Sequence, residues 1–585
     1  MKDFFKQVAA VIIGVFIIGA FTSLMGIIMM TAIITSSSQK TPLTEGSVLH
    51  LNLNGTIAER AEENPFAELL GNSAIQEQGL DQILKAIKVA KTNDNISGIY
   101  IEGGAVATDF ASFEEIRKAL VNFKESDKFI YAYGENFTQG AYYLASVADK
   151  VVINPSGMLD WHGIASQPMF FKELLEKLGV KMQVFRVGTY KSAVEPFTNT
   201  EMSPANRAQV QSFISDIWGV ICKDVAASRK LSVDTLNLYA DNYSTFKDAS
   251  EYVKMNLVDT TAYIDAVRDD LRALAKTEKL NLMSPKEVAA YEEPAIHDNV
   301  AVYYAFGDIV GAEQSNPLGG SAQIVGPDVV DDLDKLMNDE SIKAVVLRIN
   351  SGGGSAYASE QMWRAIQLLK AKKPVVVSMG GMAASGGYYM SCGADYIFAE
   401  PTTLTGSIGI FGMIPDVSGL LTNKIGLHFD VVKTNESSDF GTMSRGFNAA
   451  ESAAMQGYVN RGYDLFLKRV ADGRGMQTTA VDSIAQGRVW TGKQALEIGL
   501  VDKLGTLDDA VAEAARRANL DNYSVVASPK VGNWMDMLDK TLKSNYLESQ
   551  LRMSLGEFYE PLKFAKTLEG RDCLQARMPF APNLN

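Results

Sequence analysis

The chain repeats itself. Residues 129–164 read FIYAYGENFTQGAYYLASVADKVVINPSGMLDWHGI, and residues 375–410 read VVVSMGGMAASGGYYMSCGADYIFAEPTTLTGSIGI. They align without gaps, Phe129 on Val375, at an offset of 246. Shared residues include Gly134/Gly380, Gly140/Gly386, the paired tyrosines, Asp149/Asp395 and Pro155/Pro401. Several of these punctuate turns, where backbone shape dictates residue type. The same offset sets SGIYIEGG (97–104) against KAVVLRIN (343–350), and SVLHLNLNGTI resembles NVAVYYAFGDIV at an offset of 252. Two copies of one domain follow.

Each copy predicts one order of elements. An apolar strand comes first (48–53; 300–304), then an amphipathic helix (80–91; 329–337) and a second strand (99–101; 344–349). Another helix (113–123; 359–369) and a third strand (129–133; 374–379) follow, leading into a Gly/Ala-rich turn and a Tyr-containing helix. Strands alternating with helical periodicity predict an α/β fold with largely parallel pairing. The repeats are expected over 46–280 and 298–527, joined where periodicity fades around Pro285 and Pro294. Residues 528–585 read as a helical tail with no usable motif.

Ahead of the repeats, Val8 to Ser38 contains no charged residue. That run exceeds the ~20 residues that span a bilayer and lacks the short apolar core and A-x-A-like site of a cleaved signal. A transmembrane helix over 8–35 is expected, after a short N-terminus of residues 1–7. Lys2 and Lys6 precede the span and Lys40 is the close cation after it, so positive charge places the N-terminus in the cytoplasm and the body outside. Net charge is −14, and the first 40 residues contribute only Lys2, Lys6, Lys40 and Asp3. So acidic a body is a poor nucleic-acid binder. The three cysteines lie far apart, and the four histidines share no motif. No metal or cofactor is expected, and a histidine base is disfavoured.

Chemistry concentrates in the second copy. In Gly380-Gly-Met-Ala-Ala-Ser-Gly-Gly-Tyr-Tyr, Ser385 follows a strand and opens a helix among small residues. It reads either as a nucleophile beside free helix N–H groups or as a plain helix cap. The loop Arg348-Ile-Asn-Ser-Gly-Gly-Gly-Ser-Ala can turn main-chain N–H groups into a cavity or be an ordinary flexible loop; it has no P-loop lysine. The first copy has Gln139 where the second has Ser385, and Gly104-Ala-Val-Ala-Thr108 in place of Asn350–Gly354. It contributes Lys191, in Gly188-Thr-Tyr-Lys-Ser-Ala-Val-Glu-Pro-Phe, near whose counterpart the second copy has Lys433 followed by Ser437 and Ser438. Complementary divergence points to one site shared across the copies.

A serine needs a base, and a lysine serves only when neutral. Its ordinary pKa is about 10.4; bringing that to 7–8 disfavours the charged form by ~4 kcal/mol. Burial in an apolar cleft supplies this, and a neighbouring hydroxyl orients the amine. Ser407, in Leu404-Thr-Gly-Ser-Ile-Gly, suits that role or is a turn serine.

Five ordered blocks then carry a resemblance: Tyr190-Lys-Ser-Ala-Val-Glu-Pro-Phe197, Arg348-Ile-Asn-Ser, Met382-Ala-Ala-Ser-Gly-Gly-Tyr-Tyr389, Leu404-Thr-Gly-Ser-Ile-Gly-Ile-Phe-Gly412 and Gly487-Arg-Val-Trp-Thr-Gly-Lys-Gln-Ala495. The chain resembles the signal peptide peptidase A (protease IV) family, long form, from its anchor to about residue 515. The resemblance implies a tandem pair of Clp protease/crotonase-like domains built from repeated ββα units. It implies a Ser/Lys dyad, with Ser385 as nucleophile, Lys191 as general base and Ser407 orienting the lysine. Gly353, Gly354 and the N–H of Gly386 fall where the oxyanion hole is expected. The family degrades signal peptides in the bacterial inner membrane, with the catalytic body facing the periplasm, as homotetramers with hydrophobic grooves. One departure stands out: the family's Ser-Pro-Gly-Gly reads Ser351-Gly-Gly-Gly here. A crotonase-like thioester enzyme and a non-catalytic membrane scaffold are the competing expectations.

Overall fold

The computed structural model describes residues 42–61, 77–292, 298–313, 322–530 and 574–577, with single helical positions at 14, 19, 21 and 25. Most of the expected span over 8–35 and most of the tail lie outside the described residues. Among the described residues, no helix is long and apolar enough to cross a membrane.

The first copy builds a parallel sheet. In space its order is Asn281–Met283, β1 (Ser47–Asn52), β2 (Ile96–Gly103), β3 (Phe129–Gly134), β4 (Lys150–Ile153) and Thr260–Thr261. Helices α1 (Leu80–Thr92) and α2 (Phe110–Phe123) cross over between strands, and α3 (Gln139–Ala145) follows β3. In α1 the buried residues are Leu80, Ile83, Ala86, Ile87 and Ala90, the spacing of one helix face. A further strand, β5 (Lys181–Arg186), pairs elsewhere.

The second copy supplies β6 (Asn299–Phe306), β7 (Asp308–Val310), β8 (Gln323–Val325), β9 (Ile342–Ser351), β10 (Gly353–Ser355) and β11 (Val375–Ala384). It continues with β12 (Tyr396–Ala399), β13 (Leu404–Gly406), β14 (Phe411–Asp416), β15 (Val489–Thr491) and β16 (Ser524–Ser528). Its large sheet runs β15-β13-β11-β9-β6-β16, with β12 branching from β11. All these pairs are parallel except β13 with β15. Strands β2 and β9, β3 and β11, and β4 and β12 begin at residues 246 apart, the offset read from sequence.

Parallel strands covered on both faces need apolar side chains on both. In β9, Val345 and Leu347 pack with Met362 and Ile366 on one side, while Ala344 and Val346 meet Ala510, Val511 and Ala514 on the other. The first group comes from α4 (Ala356–Lys370), the second from α5 (Leu507–Arg517). Each such valine or leucine contributes about 1.5–3 kcal/mol on burial.

A third sheet belongs to both copies. Its order is β8-β7-β10-β17-β14-β5, where β17 is Leu574–Arg577. Strand β5 of the first copy lies antiparallel to β14 of the second, Arg186 opposite Phe411 and Lys181 opposite Asp416.

Two expectations need correction. The Gly/Ala-rich stretch Gly380–Ala384 is no turn but the end of β11. Its glycines are needed by the neighbouring copy: a Cβ at Gly380 would lie 2.4 Å from Glu59 Oε1, and one at Gly381 would lie 2.2 Å from the Asp109 carboxyl carbon. The described part of the predicted helical tail, residues 528–530 and 574–577, holds no helix: Ser528 ends β16, and Leu574–Arg577 is the strand β17, which lies between two strands whose ladders it completes.

The copies are bolted by a buried ion cluster. Arg348 Nε donates to Glu59 at 2.8 Å, and its Nη2 donates to Glu115 at 2.7 Å. Asn350 Nδ2 donates to Glu59 and Asp109, while its Oδ1 accepts from the Met382 N–H at 3.0 Å. Arg348 is 1 % exposed. Burial opposes its charge, but Glu115 and Glu59 outweigh it and hold the guanidinium pKa well above the usual range. Arg348→Ala strands two buried carboxylates, so it should destabilise the chain by about 3–5 kcal/mol. A fall in the urea unfolding midpoint reads this; an unchanged midpoint would show that the cluster does not hold the copies together.

Candidate active site

Ser385 stands between β11 and the helix α6 (Gly386–Ser391), with φ 54° and ψ −112°. That backbone region costs a non-glycine residue about 1–3 kcal/mol and needs surrounding support. The Ser385 N–H donates to the Gly406 carbonyl at 2.8 Å, and the Tyr389 N–H donates to the Ser385 carbonyl at 2.8 Å. No side chain caps this helix, so the capping role for Ser385 is excluded and its hydroxyl is free for other partners. In the first copy, by contrast, Thr138 caps α3 and accepts from the Ala141 N–H.

Lys191 reaches the same point from the first copy. The composite sheet carries β5 alongside β14, and the chain then turns. The Val187 N–H donates to Ile410 O at 3.2 Å, and the Tyr190 N–H donates to Gln486 O at 2.8 Å. Behind the turn is a buried polar frame. Ser192 donates to Asn206, Asn206 and Ser203 donate to Glu195, and Gln209 Nε2 donates to the Tyr190 carbonyl. Two glycines leave room for the lysine. A Cβ at Gly487 (φ +76°) would lie 2.6 Å from Lys191 Cβ and N, and one at Gly409 would lie 3.2 Å from Lys191 Cδ.

The amine ends 2.8 Å from Ser385 Oγ, 3.0 Å from the Ser407 carbonyl and 3.1 Å from Ser407 Oγ. Lys191, Ser385 and Ser407 are all 0 % exposed. Burial alone holds the Lys191 pKa well below its ordinary range. A neutral amine has two N–H donors and one lone pair. The Ser407 carbonyl only accepts, and the Ser407 hydroxyl can donate onward to Gly487 O, 3.4 Å away. These two take the N–H groups, and the lone pair is left facing the Ser385 hydroxyl.

The expected oxyanion glycines divide. The Gly353 N–H donates to Ser351 Oγ at 3.1 Å. Gly354 faces Ile309, where a Cβ would lie 2.0 Å from its carbonyl oxygen, so close strand packing requires glycine there. Gly386 opens the uncapped helix beside the serine. Asn350, expected near this loop, belongs to the inter-copy cluster instead. Lys433 is outside the site and pairs with Asp439 at 2.9 Å. Gln139 accepts from the His162 and Gly163 N–H groups and so staples a loop.

Sequence reasoning left Gly409, Gly487, Glu195, Asn206 and Gln209 without roles. The first three stand inside the quoted blocks, yet nothing local tells a lysine tunnel from a turn. Gly487→Ala should displace Lys191 by an ångström or so. Labelling of Ser385 by a serine-directed phosphonylating probe should then fall about 100-fold with the circular dichroism spectrum unchanged. Labelling at the normal rate would show that Gly487 does not set the lysine's position.

Comparison with known proteins accords with this geometry. Residues 122–278 and 367–521 each match Peptidase family S49, and residues 321–403 match Clp protease. The chain is 38% identical to Protease 4 of Salmonella typhi over 507 residues, covering 83% of this chain and 80% of that one. It is 35% identical to Protease 4 of Haemophilus influenzae over 524 residues, covering 84% and 83%. With the chloroplastic serine protease SPPA of Arabidopsis thaliana it shares 30% over 486 residues, covering 81% and 70%. Carrying the domain twice and matching most of its relatives' length, this chain belongs to peptidase family S49, in the long protease IV form, and is a serine peptidase.

Proposed function

We propose that the chain is an endopeptidase using a Ser385/Lys191 dyad on apolar peptides, signal peptides freed in the membrane among them. One observation carries the reading: the 2.8 Å approach of a fully buried, uncompensated amine to the hydroxyl of a strained serine. In the first step the Ser385 O–H proton passes to the Lys191 lone pair while Oγ attacks the scissile carbonyl carbon. Negative charge on the carbonyl oxygen is met by the N–H of Gly386 at the helix start; Gly354 lies alongside, and Gly353 contributes if its N–H leaves Ser351. The Lys191 ammonium then gives its proton to the departing amine. Water, deprotonated by the same amine, releases the acyl group from Ser385. Ser407 keeps the lone pair aimed throughout.

Ser385→Ala and Lys191→Ala should each abolish peptide hydrolysis with the fold retained. The base must be neutral, so activity should rise with pH through the depressed lysine pKa and level off above it. Turnover near normal in either variant, or a profile flat from acid to alkali, defeats the dyad.

The Val8–Ser38 run supports a single-pass anchor in the bacterial inner membrane, with the repeats on the periplasmic side. A homotetramer is supported by an exposed apolar segment bearing Ile425, Leu427, Phe429, Val431 and Val432, the last 98 % exposed. Protein extracted from membranes in mild detergent should begin at Met1 or Lys2 and sediment with the mass of four chains. An N-terminus near Ser36 removes the anchor, and a monomer mass removes the assembly.

A further inference from the structure

Two of the sequence blocks hold a cation and aromatic rings to which no role has yet fallen: Tyr190, immediately before the base, and Arg488 and Trp490, just after Gly487. The fold brings them together across the boundary between the copies. The Arg488 guanidinium carbon lies 4.0 Å from the centre of the Trp490 ring and 5.2 Å from that of the Tyr190 ring. Both separations fall within the ~6 Å at which an aromatic face attracts a cation. Arg488 Nε is buried and has no hydrogen-bond partner among the described residues. A buried N–H left unpaired is costly, so it is ring contact that holds this part of the side chain. The flat, weakly hydrated guanidinium suits such contact, as an ammonium does not. Trp490 is fixed in turn, its indole N–H donating to Ile484 O at 3.0 Å.

The main chain around Arg488 touches both residues that govern the amine. The Ser407 N–H donates to Arg488 O at 2.7 Å, and the Gly487 N–H donates to Ile408 O at 2.8 Å. From the first copy, the Tyr190 N–H donates to Gln486 O at 2.8 Å. The Val489 N–H donates to Gln209 Oε1 at 3.2 Å, and Gln209 Nε2 donates to Tyr190 O at 3.1 Å. Residues 486–489 are thus a strut between the lysine turn and the serine that orients the lysine. Gln486 has φ 55°, a costly conformation for a residue other than glycine, so the strut is bent and needs fastening.

We propose that Arg488 is a positioning residue for the base: stacked on Tyr190 and Trp490, it clamps residues 188–191 of the first copy to the strut at 486–489 of the second, and so keeps the amine dry and aimed at Ser385. This rests on the Ser385/Lys191 reading and adds a residue to the same site. Other charged or titratable side chains also meet this region. Arg186 Nη1 donates to Lys191 O at 3.2 Å and lies 4.0 Å from Glu195, while Tyr463 and Asp482 accept from Gln486. None of them sets the protonation of Lys191, which follows burial alone. A loosened clamp therefore acts on the amine by admitting water, and water favours the ammonium form.

The full-length chain and a fluorogenic apolar peptide test this. Arg488→Met keeps the reach of the side chain and loses its plane and charge. On the acid limb of the pH profile its kcat should fall about tenfold with KM unchanged, the loss for a lysine that titrates about one pH unit higher. On the alkaline plateau the loss should vanish. Tyr190→Leu should behave alike, and Tyr190→Phe, which keeps the ring, should restore most of what Tyr190→Leu loses. Combining Arg488→Met with Tyr190→Leu should cost no more than either alone, because both break one contact. A loss equal at every pH, or losses that multiply in the pair, overturns the clamp. A second arm needs no chemistry. In Arg488→Met and in Tyr190→Leu, amide hydrogen exchange at Tyr190 and Ser407 should quicken at least about tenfold, with the urea unfolding midpoint retained. Unchanged exchange at both amides overturns the proposal, whether or not the chain hydrolyses peptides. Faster exchange with no hydrolysis in the wild-type chain sustains the clamp and overturns the dyad instead.

Discussion

A primary amine sealed from water without a carboxylate partner is the constraint on which the site depends. Lys191 is chargeable, fully buried and shifted by burial alone. Its pKa is lower in the folded chain than in the unfolded one, so unfolding takes up a proton. The residue's contribution to stability is therefore worst at low pH and recovers as pH rises toward the ordinary lysine range near 10.4. Something else must hold the fold closed around it. The composite sheet and the Arg348 cluster join the two copies, and the Glu195–Asn206 frame backs the turn that carries that amine. The site cannot form in either copy alone, because its base and its nucleophile arrive on different ones.

Duplication explains how such an arrangement is built. Each copy places a short helix after its third strand, and each uses the residue at that junction differently. In the second copy the backbone at Ser385 is forced to positive φ and the hydroxyl is left uncapped. In the first copy Thr138 caps the helix and Gln139 holds the loop at His162 and Gly163. One copy thus stores strain where chemistry is needed, and the other relaxes it. Freed of chemistry, the first copy sends a strand and a lysine across the boundary.

How much of this was legible depended on the range of each interaction. The repeat, its offset and the alternation of strands and helices are local patterns, and they mark the elements to within a few residues. Ser385, Lys191 and Ser407 were legible because their neighbours form ordered blocks, and the structure brings both serines within 3.1 Å of the Lys191 amine. What stayed hidden was every residue whose partner lies far along the chain. Arg348 and Asn350 looked like parts of a glycine loop; their partners Glu59, Asp109 and Glu115 are more than 230 positions away. Gly380 and Gly381 looked like a turn because the carboxylates packed on them are equally remote. The tail had no periodicity to betray a strand, since a four-residue ladder is set by the edges that receive it.

The site and its base are linked through water. Lys191, Ser385 and Ser407 have no exposed surface. Exclusion of solvent is what favours the neutral form of Lys191, because burial is the cause of its lowered pKa. Histidine, with an ordinary pKa near 6.5, stays a usable base in a wet cleft at neutral pH. Lysine does not, since hydration returns it to the ammonium form. A lysine base therefore suits a site that the fold itself keeps dry.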